Sequence, residues 1–141
     1  MLIDRSVIGS ASEPQVHEIE KGAIRAFAQA IGDDNPLYHD EEYARQHGYA
    51  SLVAPPTFPT TLRVPNPQVK FELSRVLHGE QEYACERPIV AGDVLRCASK
   101  VIDVYERQGK LGAMTFLVTE VRGEDLDGRL VFRGKSTIIL R

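Results

Sequence analysis

Residues 21–36 read KGAIRAFAQAIGDDNP, a stretch that joins one amphipathic helix to an abrupt stop. The apolar residues Ile24, Phe27, Ala28 and Ile31 fall at the i, i+3, i+4 and i+7 spacing of a single helix face. Gly32 stands where a helix C-cap belongs, and the Asp-Asp-Asn-Pro that follows cannot continue the helix. The stretch therefore predicts a helix with one buried face that ends in a polar loop.

The segments on either side of this helix predict a strand before it and irregular chain after it. Residues 16–20 alternate apolar and polar, as a short half-buried strand does. Asp40 is a good N-cap for a second short helix that ends at Gly48. Five prolines between residues 55 and 67 exclude a regular helix or a central strand there, and residues 68–77 are expected to form one more helix.

From residue 80 the pattern changes to that of an antiparallel sheet. Strands are predicted over residues 94–105, 113–121 and 130–140, with a flexible loop at 108–112 and a hairpin turn at 125–128. Helices followed by hairpin-linked strands indicate the α+β class. We expect one domain over residues 1–141.

Composition excludes several classes of function. The 141 residues are 43% hydrophobic and 26% charged, which is typical of a globular protein, and the net charge of −3 gives no support for a nucleic-acid partner. No apolar run is long enough to cross a membrane, and the N-terminus has no secretion signal, so we expect a cytoplasmic protein. Two cysteines and four histidines lack ligand spacing, and phosphate-binding glycine loops are absent, so no metal and no cofactor are predicted.

Ionisable and polar groups are concentrated in the loop after the first helix, at Asp33, Asp34, Asn35, Tyr38 and His39. An Asp and a His this close in sequence can reach one pocket, where the pair can share a water for acid–base chemistry. The same residues are also good turn formers, because Asx side chains bond to the nearby backbone. Both interpretations stay open at this point.

The sequence around this loop carries a family resemblance. Residues 31–40, IGDDNPLYHD, resemble the hydratase 2 motif Gly-Asp-x-Asn-Pro-Leu-His of the MaoC-like dehydratases. The segments LVAPPTF, HGEQEY, RPI with GD, and MTF are similar to the N-terminal MaoC-dehydratase domain. That branch includes the substrate-binding subunit of mycobacterial (3R)-hydroxyacyl-ACP dehydratases. The resemblance implies a single hotdog fold, in which an antiparallel sheet wraps around a central helix.

The resemblance also implies a reaction. In active members the motif Asp and His activate one water, which adds to the enoyl double bond of a thioester or leaves in the reverse dehydration. A backbone N–H at the start of the central helix polarises the thioester carbonyl. The candidate catalytic residues here are Asp33, Asp34, Tyr38 and His39. The candidate substrate-binding residues are Asn35, Pro56, Thr57, Phe58 and Gly79.

The sequence departs from the motif at two places. Tyr38 occupies the position of the catalytic His, so either the loop shifts and Asp34 pairs with His39, or Tyr38 points inward and this copy is catalytically silent. Pro55 and Pro56 lack the N–H that would bind a thioester oxygen, a role that the Thr57 N–H can take instead. Their other interpretation is a rigid lead into the central helix.

Two functions follow from the resemblance. The first is a (3R)-hydroxyacyl-thioester dehydratase or enoyl-CoA hydratase of fatty acid metabolism that acts on acyl-CoA or acyl-ACP. The second is a non-catalytic acyl-binding subunit paired with a MaoC-like catalytic partner. Because a single hotdog leaves a sheet edge and an incomplete pocket, we expect a homodimer or a heterodimer with a MaoC-like subunit.

Overall fold

The computed structural model describes residues 2–141, which form one five-stranded antiparallel sheet and two α-helices. The strands are β1 (Gln15–Glu18), β2 (Val76–Cys85), β3 (Val94–Gly109), β4 (Gly112–Glu124) and β5 (Leu130–Leu140), and the helices are α1 (Lys21–Ala30) and α2 (Glu41–Gln46). The strand order across the sheet is β1-β3-β4-β5-β2. The predicted α+β class is confirmed.

Helix α1 lies against the inner face of the sheet, as its apolar spacing predicts. Ile24 and Ala28 are fully buried in a core shared with residues of β3 and β5, namely Leu95, Cys97 and Phe132. Ile31 lies just beyond the last turn and is 48% exposed. Gly32 follows with a φ of +70°, a left-handed conformation that glycine adopts without steric cost and that ends the helix.

Two aromatic rings on the inner face lie directly over glycines of the neighbouring strand. A Cβ added to Gly123 would lie 2.1 Å from the Phe132 ring, and one added to Gly134 would lie 2.7 Å from the Tyr83 ring. The missing side chains therefore create the space that each ring fills. These contacts pack the ring from β5 against β4 and the ring from β2 against β5.

The proline-rich segment contains no α-helix, so two expectations are wrong. Pro55 and Pro56 lead into a 3₁₀ turn, Phe58–Thr61, rather than into a central helix, because Pro59 has no N–H and so interrupts the helical hydrogen-bond ladder. The helix predicted over residues 68–77 is replaced by extended chain and a 3₁₀ turn at Leu73–Arg75.

Local hydrogen bonds explain why residues 68–77 are not helical. Asn66 accepts the Gln68 N–H with its side chain and the Val69 N–H with its carbonyl, which is turn geometry. Leu73 is 82% exposed, so it adds nothing to the core that could favour a helix here. Strand β2 begins at Val76, four residues before the predicted start, because Val76 already pairs with Leu140 of β5.

The two predicted chain reversals between the late strands have different outcomes. The expected loop at residues 108–112 is wrong, because β3 and β4 pair up to Gly109 and Gly112 and leave only residues 110 and 111 in the turn. The predicted hairpin at residues 125–128 is confirmed. There the Asp125 carboxylate accepts the N–H groups of Asp127 and Arg129, each at 2.9 Å, and these bonds lower its pKa.

Substitution of Gly123 tests the ring-over-glycine packing. We expect Gly123→Ala to lower the free energy of unfolding by about 1–3 kcal/mol, because its Cβ collides with the buried Phe132 ring. The matched change Gly22→Ala, in the first turn of α1 with nothing within 4 Å of the new Cβ, should raise it by about 0.4–1 kcal/mol. Urea unfolding measures both values, and a Gly123→Ala protein as stable as the parent would contradict the packing.

Candidate functional site

The loop that follows α1, residues 32–40, is held by two consecutive Asx turns and is called the motif loop here. The Asp33 N–H donates to the Ala28 carbonyl at 2.9 Å, which joins the loop to the helix end. The Asp33 carboxylate accepts the Asn35 N–H, and the Asn35 side-chain oxygen accepts the Leu37 N–H, both at 3.0 Å. These bonds define the backbone turns of residues 33–37 and so orient the side chains that follow.

Within the motif loop, Tyr38 is the residue whose side chain is buried. It is 8% exposed and belongs to the main core. Burial, and secondarily the negative charge of Asp33, raise the pKa of the Tyr38 hydroxyl above its ordinary value of 10.0. The hydroxyl is therefore protonated at neutral pH and is able to donate a hydrogen bond, but it is a poor base.

The imidazole of His39 turns back onto the motif loop. Its Nε2 lies 2.9 Å from the Asp33 carbonyl oxygen, and because a carbonyl only accepts, Nε2 carries the proton. The His39 carbonyl in turn accepts a 3.4 Å hydrogen bond from Arg25 of α1. The His39 ring therefore contacts the backbone carbonyl of Asp33 and not its carboxylate.

An apolar cavity of about 360 Å³, called the motif cavity here, opens beside Tyr38. Its walls come from the motif loop, from residues 53–56 and from residues 85–89; they are Leu37, Tyr38, Val53, Ala54, Pro55, Pro56, Cys85, Glu86, Arg87, Pro88 and Ile89. At its rim the Arg87 guanidinium makes two hydrogen bonds to the Asp93 carboxylate, at 2.8 and 3.3 Å. Asp93 also accepts the Val90 N–H, so the rim is braced.

The structure brings some of the sequence-predicted site residues to this cavity and keeps others away. Tyr38 and Pro56 line it, while Asp33 and Asn35 brace the motif loop next to it and Asp34 is exposed. Thr57 is exposed one residue beyond the cavity wall. The candidates that lie elsewhere are Phe58 and Gly79.

Phe58 lies in the core, and Gly79 lies within the sheet. Phe58 is 2% exposed and packs edge-on against Phe27 with ring centroids 5.8 Å apart, so it is part of the core beneath α1. Gly79 lies on β2 at an irregularity in the pairing with β5, where a Cβ would meet the Thr137 carbonyl at 3.1 Å. Neither is among the residues that line the motif cavity.

A second cavity, of about 270 Å³, was not anticipated from the sequence. Residues 62–72, called the strap here, cross the inner face of the sheet and leave a strap cleft beneath them. The cleft is lined by Val64, Pro65, Asn66, Val69, Phe71, Ser99, Val101, Leu117, Thr119, Ser136 and Ile138. The sequence feature that could have predicted this cleft is the proline content of the strap. Proline prevents a helix, and an extended chain fills less of the space over a sheet than a helix does.

The cysteines differ in position. Cys85 is exposed and lies on the wall of the motif cavity, and Cys97 is fully buried under α1. Burial raises the pKa of Cys97 to about 11. Across residues 2–141, no cluster of three or more His, Cys, Asp or Glu side chains is arranged to hold a metal ion, and no helix is long and apolar enough to span a bilayer.

An antiparallel sheet over a short helix, with a Gly-Asp-x-Asn-Pro loop delivered at the helix end beside an apolar cavity, defines a hotdog protein of the MaoC-like dehydratase class. The chain belongs to the family described as the FAS1-like dehydratase domain region, whose model matches residues 6–133. The resemblance noted in the sequence is confirmed.

Similar sequences and structures agree with this family. The chain is 39% identical to a UPF0336 protein of Saccharopolyspora erythraea, with 100% of this chain and 93% of that protein covered, and 39% identical to one of Thermobifida fusca over 77% of each. It is similar to the C-terminally truncated HadBC complex, a (3R)-hydroxyacyl-ACP dehydratase of Mycobacterium tuberculosis, with a TM-score of 0.84, 28% identity and 99% of each chain covered. A MaoC-like dehydratase matches with a TM-score of 0.82 and 24% identity over 96% of this chain and 42% of that one, which shows the shared fold.

Thiol alkylation tests the two cysteine environments. In the native protein at pH 7 we expect N-ethylmaleimide to modify Cys85 slowly and Cys97 not at all, because a thiol with a pKa near 11 is roughly one ten-thousandth thiolate and this one is also buried. Mass spectrometry after proteolysis assigns the adducts, and in urea both cysteines should react. A Cys85→Ser protein that still gains an adduct in its native state would contradict this assignment.

The pKa of Tyr38 tests the electrostatic coupling within the motif loop. Asp33→Asn should lower this pKa towards 10.0 without reaching it, because the carboxylate charge disappears while burial remains. Asp34→Asn is the matched control and should leave it unchanged, since Asp34 is exposed. NMR titration of the Tyr38 ring carbon, assigned with Tyr38→Phe, measures the shift.

The raised pKa of Tyr38 also determines whether the stability of the fold rises or falls as the pH increases. The folded state holds the Tyr38 proton more tightly than the unfolded state does. Its contribution is therefore fully present below pH 10.0 and is lost as the pH rises through the folded-state pKa. An alkaline loss of stability that is equally steep in Tyr38→Phe would contradict the assignment to this residue.

Proposed function

We propose that this chain is the acyl-binding subunit of a (3R)-hydroxyacyl-thioester dehydratase and that a MaoC-like partner supplies the catalytic Asp and His. The observation that carries the proposal is the side chain in the motif cavity. Tyr38 lines that cavity at the position where the hydratase 2 motif has its His.

The chemistry of hydration explains why this difference matters. Adding water across an enoyl double bond requires a group that accepts the water proton near neutral pH. A tyrosine whose pKa is raised above 10.0 is a poor acceptor, although its hydroxyl can donate a hydrogen bond to a substrate oxygen. The second candidate base, His39, is hydrogen-bonded to the Asp33 carbonyl and does not line the cavity.

The walls of the motif cavity suit an acyl thioester. They are mostly apolar, which favours an acyl chain, and Pro55 and Pro56 leave no N–H on that side. Thr57 follows directly and carries the first backbone N–H after the two prolines, so the proposal assigns that N–H to the thioester carbonyl. Acyl-CoA and acyl-ACP both carry this thioester, and both fit the proposal.

The exposed edge of the sheet supports a partner subunit. Strand β2 is ten residues long, and eight of them are exposed, including Leu77. Long exposed edge strands are templates for pairing with another chain. The motif cavity also includes Cys85, the last residue of β2, so a subunit paired along this edge would stand beside the cavity. The proposal assigns this edge to the MaoC-like subunit, because a second copy of the chain would bring the same Tyr38.

A second candidate function is autonomous hydration by Asp33 and His39. It is favoured by the 2.9 Å contact between the His39 ring and the Asp33 carbonyl, which holds these two residues together. For this chemistry the His39 imidazole would have to leave the carbonyl and turn to the cavity. The two candidates predict opposite results for the isolated chain.

Hydration of crotonyl-CoA separates them. The purified chain alone should show no rate above background, and the chain co-purified with a MaoC-like subunit should be active. In that complex, His39→Ala should change the rate less than twofold, whereas loss of a general acid–base group costs about 10²–10⁴-fold. Activity of the lone chain that His39→Ala or Asp33→Asn abolishes would establish the second candidate instead.

Tyr38→His is the reciprocal variant. It restores an imidazole at the motif position in the cavity, so we expect the lone chain to gain measurable hydration of crotonyl-CoA. Tyr38→Phe is the matched control, because it removes the hydroxyl without adding a base, and it should remain inactive. A gain that is equal in both variants would contradict the role assigned to this position.

A further inference from the structure

Tyr83 forms a hydrogen bond between the sheet and the chain that lies over it. Its hydroxyl and the hydroxyl of Thr60, in the Phe58–Thr61 turn, are 2.7 Å apart. The Tyr83 ring lies over Gly134 on the neighbouring strand, in space that a Cβ would fill. The ring is therefore held flat on the inner face by the glycine below it and by Thr60 at its tip.

The pairing of β2 with β5 locates this ring between the two cavities. Cys85 pairs with Phe132, Tyr83 with Gly134, and Gln81 with Ser136. Cys85 lines the motif cavity and Ser136 lines the strap cleft. Each two-residue step along a strand is about 6.6 Å. Tyr83 therefore stands one step along β2 from Cys85, and its partner Gly134 stands one step along β5 from Ser136.

The overlying chain runs in the same order. Residues 54–56 line the motif cavity, Thr60 follows in the 3₁₀ turn, and residues 64–66 line the strap cleft. The Tyr83–Thr60 bond thus joins the two layers at the boundary between the cavities. The order of residues along the sheet and the order of residues along the chain above it therefore both put the Tyr83–Thr60 bond between the two cavities.

We propose that Tyr83 limits the length of the acyl chain that the motif cavity accepts, an inference that rests on the proposed function. A short acyl chain fits beside Tyr38 without touching Tyr83. A longer chain reaches the ring, and it enters the strap cleft only if the ring leaves Gly134 and the bond to Thr60 breaks. Val101, Leu117 and Ile138 would then provide apolar contacts in the cleft.

The affinity for acyl-CoA thioesters of increasing length tests this role. Each buried methylene should tighten binding about fourfold, so a plot of log Kd against chain length falls and then levels where the chain meets a barrier. Calorimetry with the series from butyryl-CoA to palmitoyl-CoA locates that plateau. In Tyr83→Ala we expect the plateau to move to longer chains, while the Kd for butyryl-CoA stays within twofold.

Other variants separate the role of the ring from general damage. Tyr83→Phe and Thr60→Val remove the hydrogen bond but keep the ring, so both should still move the plateau to longer chains, though by less than Tyr83→Ala does. Tyr105→Ala is the matched control. It truncates a tyrosine that stacks on Phe116 at 4.8 Å on the opposite face of the sheet, and it should leave the plateau in place.

The outcomes distinguish this inference from the function on which it rests. If no acyl-CoA of any length binds the parent protein, both are overturned. If the series binds but the plateau is the same in the parent and in Tyr83→Ala, only the role of Tyr83 is overturned. If Tyr83→Ala does not fold, the decision falls to the pair of ring-retaining variants, and an unchanged plateau in both overturns the role.

Discussion

The arrangement of the candidate site depends on three backbone hydrogen bonds made by the short buried segment Leu52 to Ala54. The Val53 N–H donates to the Leu37 carbonyl of the motif loop, and the Ala54 N–H donates to the Ile89 carbonyl. The Leu52 carbonyl accepts the Ala91 N–H in return. Because buried backbone groups must be paired, this segment holds the motif loop and residues 89–91 at a fixed separation, and the motif cavity is the space between them.

The proline-rich segment that follows determines what the rest of the inner face can accommodate. A continuous α-helix would cover the sheet along its whole length and fill the space above it. Pro59, Pro65 and Pro67 prevent one, so the chain makes a single 3₁₀ turn and then crosses as the strap. The strap cleft is a direct consequence, because an extended chain covers a narrower strip of a sheet than a helix does. The side-chain bond from Tyr83 to Thr60 then fixes where the turn sits.

Much of the fold could be predicted because its signals are local. The spacing of Ile24 and Ala28, the stop at Gly32 and the hairpin at residues 125–128 each depend on residues close in sequence. The failures depend on distant partners. Residues 76–79 are a strand because β5 pairs with them, and residues 108–112 form a tight turn because β3 and β4 continue pairing to the end. No short window of sequence contains that information.

The candidate site shows the same division between local and distant information. The motif loop was found from ten consecutive residues, and its Asx turns follow from the same residues. Cys85, the Arg87–Asp93 pair and the Tyr83–Thr60 bond come from positions up to 23 residues apart. The positions of Cys85 and Tyr83 become apparent only once β2 is paired with β5, since that pairing sets which side chains of β2 face inward.

The groups that line the motif cavity differ in chemistry from the acid and base candidates of the motif loop, and this difference bears on the proposal that two subunits share the site. What this chain contributes to the motif cavity is mostly suited to holding a ligand, as the proposal requires: apolar walls, a protonated phenol and a braced rim. The imidazole of His39 and the carboxylate of Asp33, the acid and base candidates of the motif loop, are both engaged in hydrogen bonds within that loop. For catalysis the His39 imidazole would have to leave the Asp33 carbonyl, which would remove one of the hydrogen bonds within the motif loop. A partner that brings its own acid and base avoids that conflict. The motif loop then keeps its hydrogen bonds while the facing subunit supplies the groups that transfer protons.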